Sequence, residues 1–216
     1  MPQYEKVVTL GTDCTVGLAM NAEGLKEETY PFDWVVSHFK FLRSQIESGL
    51  NWEVREHNLV PREGFPHIRE DHETGIFYFH DFSNNPGDGS ELEGIALKYR
   101  RRSERLRKLM ESGNPILFLR TYAGNAEAIQ GGTSEDFSTL ASLIEERFPA
   151  CNFTIHMLYS APGDQPSHDK VIRYKLPEGK DSFRKAVRQH LLYTDYPAAI
   201  RRGSGLRMAP ASMDLA

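Results

Sequence analysis

The chain has 216 residues, 39% of them hydrophobic and 26% charged, with a formal net charge of −4. That length buries a substantial core without metal or disulfide staples, and the acidic balance leaves no global field to recruit nucleic acid or anionic lipid. The two cysteines, Cys14 and Cys151, form no CxxC pair, which excludes a thioredoxin-like motif and a cysteine-built zinc site.

Residues 1–6 carry no apolar signal-peptide core, and no window approaches the roughly 18 apolar residues of a membrane span. The expectation is a cytoplasmic chain with reduced thiols and no membrane contact. Val7–Leu10 is a short apolar run of strand character, and Gly11 breaks it. Thr12 or Asp13 can cap a helix in which Val16, Ala19 and Met20 repeat at helical spacing. Cys14 therefore stands where a strand ends and a helix begins. Orphan N–H groups and the helix dipole there favour a thiolate and could hold an oxyanion.

Pro31 forces Tyr30 to be extended, and Asp33 can cap a following helix with Val35, Val36, Phe39, Leu42 and Ile46 on one stripe ending at Gly49. Phe32 and Trp34 clamp that helix to the core. Residues 51–74 show no periodicity and read as a surface excursion, a lid or binding element. Gly75–Phe82 is the second clear strand, with a turn-rich loop from Ser83, so His80 and Asp81 fall at its C-terminal end. Residues 91–112 form a helix whose basic run Lys98–Arg102 alternates with acids on a solvated face. Ile116–Leu119 is a buried strand ending in Arg120, which needs a partner and is either a structural ion pair or a substrate anchor.

Thr133 or Ser134 caps the next helix, carrying Phe137, Leu140, Leu143, Ile144 and Phe148. Phe153–Tyr159 is a fourth strand, the loop 161–169 carries His168, Val171–Tyr174 is a short strand, and Asp181 opens a last helix through Leu192. The alternation predicts one three-layer α/β domain over residues 1–200, a mainly parallel sheet with helices on both faces, and a mobile tail over 201–216.

In such a fold ligands gather at the C-terminal ends of the strands. Cys14, the His80–Asp81 pair, Arg120 and the His168 loop all map there. A thiol nucleophile needs a base and a third group to orient the base. Cys14 is the nucleophile and His80 a base. Asp81 or Asp33 can orient it, and His168, between Asp164 and Asp169, is a second candidate base. Asp33, Arg120 and His168 are also candidate substrate contacts. His67, Asp71 and His72 could join His80 on a cation, but their spacing matches no compact zinc pattern. Neither a G-x-G-x-x-G nor a phosphate-loop motif is present, and no metal or cofactor is expected.

Leu10-Gly11-x-x-Cys14, Tyr30-Pro31-Phe32-Asp33-Trp34 and Gly75-Ile76-Phe77-x-Phe79-His80-Asp81-Phe82 resemble a bacterial family of papain-like cysteine peptidases of unknown function. Lys98-Tyr99-x-Arg101-Arg102 and Leu117-Phe118-x-Arg120 continue the resemblance. It implies Cys14 as nucleophile and His80 as base, with Asp81 or Asp33 in support. Papain-like enzymes place a Gln just before the Cys helix, whereas only Gln3 precedes it here. They also carry the base on an antiparallel half, whereas these strands alternate with helices. The resulting expectation is a Cys-dependent hydrolase or acyl transferase acting on an amide, thioester or ester carbonyl of a small-molecule or peptide substrate. The rival is a non-catalytic binding module for a small anion or partner protein.

Overall fold

The computed structural model describes residues 4–24, 26–83, 89–122, 131–160 and 163–193. The start of the His168 loop and the predicted tail lie outside them. In chain order the elements are β1 (Lys6–Thr9), α1 (Thr15–Ala22), β2 (Val35–Val36), α2 (Phe39–Glu47), β3 (Leu59–Arg62), β4 (Phe65–Asp71), β5 (Ile76–Tyr78), α3 (Gly89–Glu111), β6 (Pro115–Tyr122), α4 (Ser134–Arg147), β7 (Asn152–Tyr159), β8 (Val171–Lys175) and α5 (Lys180–Tyr193). A four-stranded sheet in the order β1-β6-β7-β8 is parallel throughout.

Buried on both faces, these strands are continuously apolar rather than alternating. Residues Ile116 to Leu119 are all at most 1% exposed. Successive side chains still point to opposite faces. Val7, Leu117, Leu119 and Leu158 pack against Val16 and Met20 of α1 and Phe183 and Val187 of α5. Val8, Phe118 and Ile155 join Leu42 of α2, Leu106 of α3 and Ile144 of α4 in a second core. The three-layer α/β architecture is as expected. Thr133 closes the start of α4 with a reciprocal capping box to Asp136. No helix among the described residues is long and apolar enough to cross a membrane.

Three predicted elements differ. Residues 51–74 are not an unstructured excursion, because β3 and β4 pair antiparallel with each other and β4 with β5, giving a second sheet in the order β2-β5-β4-β3. The signal was hidden by Pro61 and Pro66 inside the strands and by Arg69 and Asp71, charged residues at most 6% exposed. The stripe beginning at Val35 is not wholly helical. Val35 and Val36 pair with Tyr78 and Phe77, α2 begins only at Phe39, and Asp33 caps nothing there. Two adjacent β-branched residues, with His38 still extended before α2, satisfy a sheet edge better than a first helical turn. The strand 75–82 stops at Tyr78, leaving His80 and Asp81 in the bend beyond it.

Candidate active site

β1 delivers the chain to the site through a braced turn. The Leu10 amide donates to Leu119 O at 2.7 Å, extending the parallel pairing past Thr9. Gly11 and Thr12 both then take φ of +83°. A Cβ on Gly11 would lie 2.2 Å from Ser37 Oγ, so glycine is required sterically as well as conformationally. Thr12 is β-branched and has no such excuse. Its left-handed backbone is a strained conformation of the kind held at functional turns. The Asp13 carboxylate accepts the Thr15 amide at 2.8 Å and lies 3.4 Å from the Thr121 hydroxyl. The cap position falls on Cys14 rather than on Thr12 or Asp13: Cys14 precedes the first helical residue, Thr15, makes no side-chain cap bond, and accepts from Leu18 through its carbonyl at 2.9 Å, while Asp13 closes the turn just before it.

Gly11→Ala should therefore cost on the order of 2 kcal/mol from left-handed backbone and steric displacement together, read as a lowered urea midpoint. Gly24→Ala, also at positive φ but with nothing within 4 Å, should cost about half of that.

The chain brings Cys14 and His80 together. Sγ is 3.8 Å from Nε2 across 66 residues of sequence, a separation at which the thiol can donate to the imidazole. Cys14 is partly buried and His80 is exposed, so a carbonyl compound can approach from the solvent side. Trp34 meets the His80 ring edge-on, with centroids 6.0 Å apart. Trp34 thus belongs to the site rather than only clamping α2.

Asp81 does something other than grip the imidazole. Its carboxylate takes the Tyr99 hydroxyl at 2.7 Å and the Lys98 ammonium, with its side chain only 3% exposed. It bolts the histidine bend to α3. Among the described residues no carboxylate hydrogen-bonds the His80 ring. The basic run accordingly splits: Tyr99 is fully buried against Trp52, stacked at 4.9 Å, while Arg100 and Arg101 face solvent.

Arg120 is 0% exposed. Its guanidinium donates to Leu10 O at 2.5 Å, Ser37 O at 2.9 Å and Gly131 O at 3.0 Å. Burial lowers it to about 10, so it stays charged at neutral pH. Three main-chain segments converge on one side chain, an architectural use rather than that of an anchor open to substrate. His168 lies elsewhere. Its ring contacts Glu145 at 3.3 Å and Asp169 at 3.2 Å. It precedes β8, at the opposite end of the parallel sheet from Cys14 and three strand spacings, about 14 Å, to the side. The geometry sets it aside both as base and as substrate contact. Asp33, 2% exposed, pairs with Lys26 at 2.8 Å and accepts the Tyr30 amide at 2.8 Å. Lys26 was not legible from sequence, because Leu25-Lys26-Glu27-Glu28 reads as an ordinary exposed run.

The His67, Asp71 and His72 grouping is drawn into local structure instead. Asp71 accepts the Glu73 and Thr74 amides, and His72 Nδ1 lies 2.6 Å from Asn58 O. Among the described residues no three His, Cys, Asp or Glu side chains are grouped to hold a metal ion.

Electrostatics at Cys14 oppose the sequence expectation of a stable thiolate. Burial first, then Asp13 and Asp81, push the thiol up to about 11, with Lys26 pulling the other way. A helix N-terminus contributes about 0.3–1 kcal/mol, less than one pH unit, so enclosure and acids prevail. Cys151 is buried in the core away from this site, and its thiol is pushed up to about 12.

An uncharacterized protein of Acanthamoeba polyphaga mimivirus, R408, is 27% identical over 135 residues, which span 52% of this chain and 60% of the viral protein. No solved structure matches the chain. A family described as "putative papain-like cysteine peptidase" matches residues 5–163, the span from β1 through β7 that holds both Cys14 and His80, and the chain belongs to that family.

Proposed function

We propose that the chain is a cysteine-dependent hydrolase or acyl transferase, with Cys14 as nucleophile and His80 as base. The 3.8 Å approach of Cys14 Sγ to His80 Nε2 carries this reading. With the thiol neutral at rest, the proton leaves during attack rather than before it. Sγ bonds to the carbonyl carbon, the thiol proton passes to Nε2, and the carbonyl electron pair moves onto oxygen. The Val16 and Gly17 amides precede the first intrahelical bond of α1 and are the donors available to that oxyanion. Collapse expels the leaving group, which takes its proton from the imidazolium and leaves a thioester on Cys14. Water or another nucleophile, deprotonated by His80, then releases the acyl group. This differs from the preformed thiolate–imidazolium pair of papain.

p-Nitrophenyl acetate gives a direct test. Wild type should release one p-nitrophenolate per chain in a burst, and His80→Ala should slow that burst by about 10²–10⁴-fold. Alkylation by iodoacetamide should rise about tenfold per pH unit from neutrality toward 11, because only the thiolate reacts. An undiminished burst in His80→Ala would remove the base assignment, and fast, pH-independent alkylation at pH 6 would restore an ion-pair mechanism.

The raised thiol and the engagement of Asp81 with α3 favour a second reading, a binding module in which Cys14 is inert. No burst from wild type, together with no acyl adduct on Cys14, would select it.

A further inference from the structure

Beside Cys14 lie two buried charges that the proposed reaction does not use. Lys26 and Asp33 have side chains only 7% and 3% exposed, with Nζ 2.8 Å from Oδ2. A buried ion pair is weak support for stability, because desolvating both charges offsets much of their attraction. The surroundings of this one point to chemistry. Nζ sits 4.2 Å over the Trp34 ring, and that ring meets His80. A Cβ on Gly17 would lie 3.6 Å from Nζ and 2.7 Å from Asp33 O. Gly17 follows Cys14 by one helical turn on the same side of α1. The bare position 17 therefore lets the Asp33 backbone and the Lys26 ammonium close in on the thiol end of the helix.

The charges felt by Cys14 come from every element packed around it. Asp13 is on its own turn, Asp81 lies beyond β5, and Asp33 and Lys26 are on the segment between α1 and β2. His80 Nε2 faces the sulfur at 3.8 Å from the bend after β5, and among the four charged groups Lys26 alone favours the sulfur anion. Burial raises the Asp33 carboxyl above its usual range against the pull of Lys26.

We propose that the Lys26–Asp33 pair sets the reactivity of Cys14, the ammonium serving as counter-charge for the sulfur anion and the carboxylate attenuating it. Lys26 is a positioning residue, acting through the sulfur rather than on substrate. Its catalytic purpose rests on the Cys14–His80 reading, but its effect on the thiol does not.

The two halves of the pair predict opposite signs. Iodoacetamide alkylation of Cys14 is followed by mass spectrometry against pH, with Cys151 in the same chain as internal control. Lys26→Gln should slow alkylation at pH 8 on the order of tenfold and move the profile upward by about one pH unit. Asp33→Asn, which frees the ammonium from its counter-ion, should speed alkylation several-fold and move the profile downward. The double variant Lys26→Gln/Asp33→Asn exchanges the ion pair for two neutral amides, which spares the fold, and it should alkylate more slowly than wild type. A purely structural pair would shift both single variants the same way.

Same-direction shifts, or unchanged profiles in variants whose circular dichroism and melting are intact, overturn the proposal. If Lys26→Gln does not fold, the double variant and Asp33→Asn still supply the two signs. Opposite shifts alongside an undiminished His80→Ala burst would keep the charge pair and discard the base.

Discussion

Cys14→Ala is expected to eliminate the p-nitrophenyl acetate burst and the acyl adduct, a loss of about 10⁴-fold or more in turnover on any substrate the parent cleaves. The fold should survive. Cys14 is the N-cap of α1 but makes no side-chain cap bond that could be lost, and Asp13 still closes the turn before it, so the urea midpoint should move little. Cys151→Ala is the matched control. That thiol is 6% exposed in the core beside Phe148 and Phe153, so its loss should lower stability by about 1 kcal/mol and leave the burst alone. A Cys14 variant with full turnover would end thiol catalysis as an explanation. Burst kinetics with mass-spectrometric adduct mapping distinguishes the outcomes.

Arg120→Met should give the largest loss of stability. The methionine approximates the volume of the arginine stem but abandons the carbonyls of Leu10, Ser37 and Gly131. Gly131 O keeps the Tyr159 hydroxyl at 2.6 Å, so two buried acceptors, Leu10 O and Ser37 O, lose their side-chain donor. At about 1–3 kcal/mol for each, the expected cost is roughly 2–5 kcal/mol, a large fraction of a typical domain's stability. Chemical denaturation measures it. Arg120→Lys keeps a charge without the planar fork and should fall between the two. Activity in either variant should fall as well, since the Leu10 and Ser37 carbonyls flank the Gly11–Thr12 turn that carries Cys14. An unshifted melt with weakened substrate binding would instead identify Arg120 as an anchor, and no change in either would refute both uses.

Much of the frame was legible because it rests on local chemistry. The apolar run at Val7–Leu10, the break at Gly11 and the helical repeat behind it place a strand–turn–helix with a thiol at its junction. Ile116–Leu119 and Phe153–Tyr159 are buried strands for the same reason, and Thr133 begins a helix because its hydroxyl and Asp136 can cap one another. Where apolar patterning was masked, the reading failed. The strands at 59–62 and 65–71 carry prolines and, in the second, buried charges, and what makes them strands is their pairing with each other and that of 65–71 with residues 76–78.

The sequence by itself determined the candidate nucleophile, two candidate bases and the layered architecture, because a side chain's reactivity and a segment's periodicity are properties of short stretches. Partnerships over long separations were decided only by the tertiary structure. Closure of the chain sets His80, not His168, opposite Cys14, since two loops at opposite ends of a parallel sheet cannot meet. Packing against α3 claims Asp81, and three distant carbonyls claim Arg120. The state of the thiol is likewise not local. A cysteine at a helix start tends toward thiolate, but burial and the carboxylates gathered around Cys14 reverse that tendency, and a charge sums over neighbours that only folding assembles.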